Sequence, residues 1–342
     1  MTLKLKILSA ITVSVFVIIV GVGIGNIFIR PHDIIKIIFC KLFNKEFIGI
    51  PETFVAIILK VRLPRVLMAF LIGGSLAVSG SVMQSVLKNP LASSYTMGVS
   101  SGAALGAACV IAFGFFIPTF PQLTLPFAGT VTGLLSVYAA VRFAFAVDKS
   151  FTNNTIILAG IVFSLFINGI ITLIIALNRT GMAQLIFWQM GSFSTQRMQN
   201  FQILFPLVVL IIVFLLRYSV EMDILTFGET DAKMIGVDTN KTKWILLFLS
   251  AALTGSAVSF AGIIGFVDLI APHLVRKIFG SKHKVVIPMS FFTGGILMTS
   301  CDIAARTLLT AQELPIGAIT ALIGAPVFCF IYFKNGKRHI EN

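Results

Sequence analysis

Apolar positions along the chain gather into runs of about 18 residues or more, the length a helix needs to cross a hydrocarbon core of about 30 Å. Short polar connections separate them. The pattern predicts spans near 7–29, 57–87, 93–114, 123–146, 155–177, 201–219, 243–263, 265–276, 285–307 and 315–333, the third and eighth being short or semi-polar. The short alternating segments of a membrane β-barrel are absent. The expected fold is therefore an all-α polytopic membrane protein of about ten helices. No linker or low-complexity stretch divides it, so 1–342 reads as one transmembrane domain. The start, with Lys4 and Lys6 before an apolar run, resembles a signal peptide. Its run exceeds an h-region of ~7–15 residues and no small-x-small site ends it, so it is expected to remain as the first span. In "NPLA", Pro90 disfavours helical geometry at Asn89 and should end the second span.

Composition agrees. Hydrophobic residues make up 57% of the chain and charged residues 11%, where a soluble domain carries roughly a quarter. The net charge of +13 invites a nucleic-acid reading. However, the Lys and Arg lie mostly in the connections, where membrane topology explains them. With the N-terminus inside, the inner face receives Lys4, Lys6, Lys88, Arg142, Lys149, Arg217, Lys233, Lys241, Lys243, Arg276, Lys277, Lys282, Lys284, Lys334, Lys337 and Arg338. The outer face receives Arg30, Lys36, Lys41, Lys45, Lys60, Arg62, Arg65, Arg179, Arg197 and Arg306. The balance puts both termini in the cytoplasm, but the basic first outer loop breaks the rule.

Gly73, Gly80 and Pro90 repeat the spacing of Gly255, Gly262 and Pro272. Small residues around both pairs would let helix backbones approach closely. Two five-span units placed this way would have opposite topology, as in many transporters.

Candidate chemistry is sparse. There is no phosphate-binding loop and no H-E-x-x-H. Cys40, Cys109, Cys301 and Cys329 lack metal-ligand spacing. The chain is thus expected to bind no metal or cofactor and to perform no catalysis itself. Ionisable residues within spans amount to Asp268, Asp302, Arg306 and, at a span end, His273, a meagre relay for an ion-coupled secondary transporter. Asp302 and Arg306, four apart, share a helix face and are expected to pair.

The polar stretch 220–242 holds five of the thirteen acids. Within it, Thr230 to Lys233 followed by Gly236 reads as a short helix ended by glycine. It is either a solvated loop or a docking helix whose Ala232, Met234, Ile235 and Val237 would otherwise be exposed. Ser164, Asn168 and Thr172 share one face of the fifth span, lining a pathway or bonding a neighbouring helix. Trp188 suits an outer interface. Arg62 and Arg65, three apart beside an apolar run, need partners. Lipid phosphates would serve, as would carboxylates, which the planar guanidinium fork grips in bidentate fashion.

Several motifs, from "RLPR" through "NPLA", "GETDAKMIGV", "AGIIGFVDLIAPHLVR" and "ELPIGAITALIGAPVF", resemble the permeases of iron-siderophore, haem and vitamin B12 ABC importers, the FecCD/BtuC-like type II importers. The resemblance covers about 60–333. It implies ten helices, a second permease subunit (the same chain or a homologue), a cytoplasmic ATPase dimer carrying ATP and Mg, and an extracytoplasmic binding protein. It assigns ATPase coupling to Gly228, Glu229, Asp231, Ala232, Met234 and Gly236, and binding-protein docking to Arg62, Arg65 and Arg306. Gly73, Gly80, Asn89, Pro90, Gly262, Pro272 and His273 fall on its structural motifs. The implied cargo is a ferric siderophore, with haem or vitamin B12 as alternatives. One departure stands at Asp268, where the family has glycine. A structural pair with His273 or Arg276 is expected for it, with a place near an interface or on the pathway as the alternatives.

Overall fold

A computed structural model describes residues 3–340 other than 26, 28, 44, 48, 179, 180, 310 and 311. Arg179 therefore lies outside the described residues. Among those described, the chain is helical without a strand. The bundle is built from α1 (Leu3–Gly23), α4 (Leu63–Val86), α5 (Val99–Phe113), α6 (Thr124–Val147), α7 (Asn153–Leu177), α9 (Met198–Arg217), α12 (Thr239–Ala261), α13 (Val267–Phe279), α14 (His283–Thr307) and α15 (Ile316–Ile340). Shorter helices join them: α2 (Pro31–Leu42), α3 (Glu52–Ala56), α8 (Met182–Met190), α10 (Ser219–Phe227) and α11 (Glu229–Met234). A π-helical turn, Ile57–Arg62, runs into α4. Among the described residues, six segments are long and apolar enough to cross a membrane: α1, Pro121–Val147, α7, α9, α12 and α14.

At the centre stands α4, buried over its whole length except Leu63 and Leu67. It packs on α14, α12 and α13. Its glycines set those distances. A Cβ on Gly73 would stand 2.4 Å from the carbonyl oxygen of Gly294 on α14, and one on Gly80 would stand 1.9 Å from the carbonyl oxygen of Asp268 on α13. Side-chain oxygens join the same seams: Ser79 donates to the Ser250 carbonyl on α12 at 2.8 Å. Packing and interhelical hydrogen bonds of this kind hold helices together where lipid removes the hydrophobic drive. The chain after α4 breaks at Lys88, which has φ +48, and an Asx turn at Asn89 accepts from Leu91 N at 2.9 Å. It then folds back inward and buries Ser93, Ser94 and Met97.

Two differences from the sequence reading matter for function. The first span stops at Gly23, not residue 29, because three alternating glycines, each about 1 kcal/mol poorer than alanine in a helix, cluster at 21–25. The basic first loop contains α2, which buries Ile34, Ile37 and Cys40. These join Val22, Ile29, Ile50, Ile58 and Val66 in a small satellite core at that end.

Candidate functional site

At the end of the bundle where α1 stops, α4 starts and α14 stops, three arginines converge. Arg62 donates to the Gly23 carbonyl at 2.9 Å, the Val22 carbonyl at 3.3 Å and the Ile27 carbonyl. Arg306 donates to the Gly21 carbonyl at 2.5 Å. Both therefore cap the last turn of α1, whose final carbonyls have no helical partner and carry the negative end of the helix dipole. Arg65 grips Asp302, with Nε 2.9 Å and Nη2 2.9 Å from Oδ1, and its Nη1 donates to Glu313 at 2.7 Å. Asp302 and Arg306 do face each other, but Nε stands 3.5 Å from Oδ2 and makes no hydrogen bond. Asp302 belongs chiefly to Arg65.

All three arginines are at least 94% buried. Their guanidinium groups are held largely by this chain's own carbonyls and carboxylates. Their outer edges instead line a recess of about 210 Å³ with Gly25, Ile57, Val61 and Glu313. Glu313 also borders a second, larger cavity of about 430 Å³, with Trp188, Ser192, Ser194, Thr195 and Phe260. Glu313 was not singled out from the sequence, although it opens the "ELPIG" motif. Trp188, expected at an interface, is half-buried in this wall.

The opposite end carries α10 and α11. Gly228 separates them in an extended conformation and its carbonyl accepts from Ala232 N at 3.0 Å. After α11, Gly236 adopts φ +92. Gly236 N donates to Lys233 O at 3.0 Å and Val237 N to Ala232 O at 2.9 Å, the paired bonds of a Schellman termination. Ala232 is fully buried, which corrects the expectation that it is exposed. It and Glu229 hold α11 to the body. Glu229 accepts from Lys243, whose ammonium also meets Asn153 Oδ1 at 2.8 Å and the Phe151 carbonyl at 3.1 Å. Three acceptors thus meet its three protons. The loop that presents the Phe151 carbonyl is braced by Asp148. Hydrogen bonds from the Ser150 and Thr152 side chains and from Thr152 N hold that carboxyl well below the usual carboxylate range. Facing away from the body, Phe227 and Met234 are each 80% exposed and Ile235 is 67% exposed. Asp231 is exposed beside them.

Asp268 accepts from Ser93 Oγ in the buried turn after α4. Neither His273 nor Arg276 pairs with it among the described residues, correcting that expectation: Arg276 turns to Ser81 O, Ser85 and Gln84 instead. A serine hydroxyl and the first turn of α13, where N–H groups favour negative charge, replace the expected cation. Ser164 is half-buried and donates to Gly160 O at 2.8 Å, while Thr172 donates to Asn168 O at 2.9 Å. Asn168 and Thr172 are exposed on the outer surface of α7. Gly262, at φ +81, and Pro272 sit at the end of α12 and inside α13.

The comparisons with known proteins accord with this architecture. The model of the FecCD transport family matches residues 12–334. The chain is 38% identical over 284 residues to the cobalamin import system permease protein BtuC of Halobacterium salinarum, covering 83% of this chain and 75% of that protein. It is 29% identical over 327 residues to the Fe(3+)-citrate import system permease protein YfmE of Bacillus subtilis, covering 96% and 94%. Among solved structures, it resembles one described as an inward-facing conformation of a metal-chelate type ABC transporter. The TM-score is 0.81 at 29% identity, with 97% of this chain and 99% of that one covered.

Proposed function

The chain belongs to the FecCD transport family and is a multi-pass permease of an ABC importer; from that premise we propose that it passes an iron chelate, a ferric siderophore, inward under the power of partner ATPase subunits that hold ATP and Mg. Haem or vitamin B12 is the second reading of the cargo, favoured by the similarity to a cobalamin permease. The observation that carries the proposal is the apolar face of Phe227, Met234 and Ile235, left exposed on two short helices whose other faces are pinned to the bundle. Such a face near a membrane surface fits a protein partner, and the ATPase dimer is placed there. This end is then cytoplasmic, with both termini. The arginine-lined recess at the far end receives the extracytoplasmic binding protein. A carboxylate on that protein would meet the guanidinium edges left at the recess mouth. A second permease subunit covers the outer face of α7, so that Asn168 and Thr172 border a pathway between subunits.

Cargo is tested on the cognate binding protein. Titrating it with a ferric siderophore, haem and cobalamin while following tryptophan fluorescence should give saturable quenching by the siderophore alone. Tight binding of cobalamin with none of the iron chelate would overturn the iron reading and leave the importer reading intact.

A further inference from the structure

A chain of polar contacts, buried at its centre, ties α10 to α4. Asp223, on α10, accepts from His283 N at 2.9 Å and lies 2.5 Å from His283 Nδ1. An ionised carboxylate only accepts, so Nδ1 carries a proton. The other ring nitrogen, Nε2, meets Ser85 Oγ on α4 at 2.5 Å. Arg276, on α13, closes the set by donating to Ser85 Oγ at 3.1 Å, to Ser81 O at 2.9 Å and to Gln84 Oε1. His283 is 1% exposed and Ser85 6%, so the Ser85–His283 link is shielded from water, while the Asp223 carboxylate is partly open to it. Every link is direct.

We infer that His283 is a positioning residue, the joint through which α4 and the ATPase-side helix α10 move together. The inference rests on the reading of α10 and α11 as the ATPase contact. The geometry gives the joint a purpose because of what lies at the other end of the same helix. Arg65, in the first turn of α4, lines the recess proposed to receive the binding protein. Twenty residues separate Arg65 from Ser85, about 30 Å of continuous helix, which is the thickness of the hydrocarbon core. The helix is unbroken over this length and buried along nearly all of it, packed against α12, α13 and α14. A tilt imposed at Arg65 therefore reaches Ser85, and the Ser85–His283–Asp223 contacts hand it to α10. The second clamp, Lys243 on Glu229, fixes α11 to α12 and leaves α10 as the half of the pair attached to α4.

A purely structural histidine would predict something different. It would lower the yield and thermal stability of the complex while each folded complex kept its normal response to the binding protein. The test uses the full complex of permease, ATPase and binding protein in proteoliposomes, with Ser85→Ala and His283→Phe. The readouts are basal ATP hydrolysis, its stimulation by loaded binding protein, and the affinity of the binding protein. Both variants should hydrolyse ATP at the basal rate and bind the binding protein normally, while stimulation falls by at least about fivefold, the lower end of typical coupling between sites. The double variant should lose no more than either single one, because both cut one chain of contacts. Should His283→Phe fold poorly, Ser85→Ala removes only a hydroxyl and still reports. Full stimulation in Ser85→Ala overturns the inference. Failure of the underlying reading looks different: the ATPase would not depend on the exposed face of α11 at all.

Discussion

Replacing Asp302 by alanine is expected to destabilise the permease by about 3–5 kcal/mol, the usual cost of removing one partner from a buried ion pair. Asp302 has no exposed side-chain surface and takes two hydrogen bonds from Arg65 at one oxygen or the other, with Arg306 close by. Its loss leaves two guanidinium groups inside the bundle with Glu313 as the one carboxylate paired with either among the described residues, and Arg306 with the Gly21 carbonyl. Glu313→Gln makes the contrast. That side chain is 42% exposed, and pairs open to water contribute about 0–1 kcal/mol. Thermal unfolding of the purified protein in detergent should separate the two variants clearly. Equal midpoints would show that water reaches Asp302. The same geometry changes how docking is to be probed. Reversing Arg62 to glutamate would strip the caps from α1 and bring a carboxylate against backbone carbonyls, so it reports on folding before it reports on any partner.

The second large effect is expected at α11. Met234→Asp puts a charge on an 80% exposed position, which the isolated permease should tolerate. In the assembled transporter that charge would be buried against the ATPase without a partner. A central contact of this kind is worth about 2 kcal/mol or more, so ATPase affinity should fall by at least about tenfold. Gly236→Val acts on the backbone instead, forcing a β-branched residue to φ +92 at about 1–3 kcal/mol. Binding of the ATPase to immobilised permease measures both. Wild-type affinity in the two variants would remove α11 from the contact.

The spans and the glycine-ended helix at 229–234 were legible because each follows from local residue types: apolar runs of spanning length, and a glycine where the chain must turn left-handed. The arginine partners were not legible, for a physical reason. Arg62 is satisfied by backbone carbonyls at Val22, Gly23 and Ile27, and every residue has a carbonyl, so no side-chain pattern marks them. Arg65 finds its carboxylates 237 and 248 residues away. Asp268 misled because a span acid suggests a cation, whereas Ser93 and the N-terminus of α13 supply the stabilisation. By contrast, α2 had a readable signal that went unused: Pro31 at the start, Asp33 in the first turn, and Ile34 and Ile37 on one face. The basic loop around it drew attention to charge rather than to period.

In the transporter proposed here, ATP hydrolysed by a partner drives cargo through this chain. Its most direct test is uptake by proteoliposomes holding the permease and its ATPase, with loaded binding protein outside the vesicles at the recess end and ATP enclosed. Radiolabelled ferric siderophore should accumulate in a manner that requires ATP and the binding protein and ignores imposed ion gradients. Accumulation driven by a proton or sodium gradient without ATP would contradict this and make the chain an ion-coupled transporter.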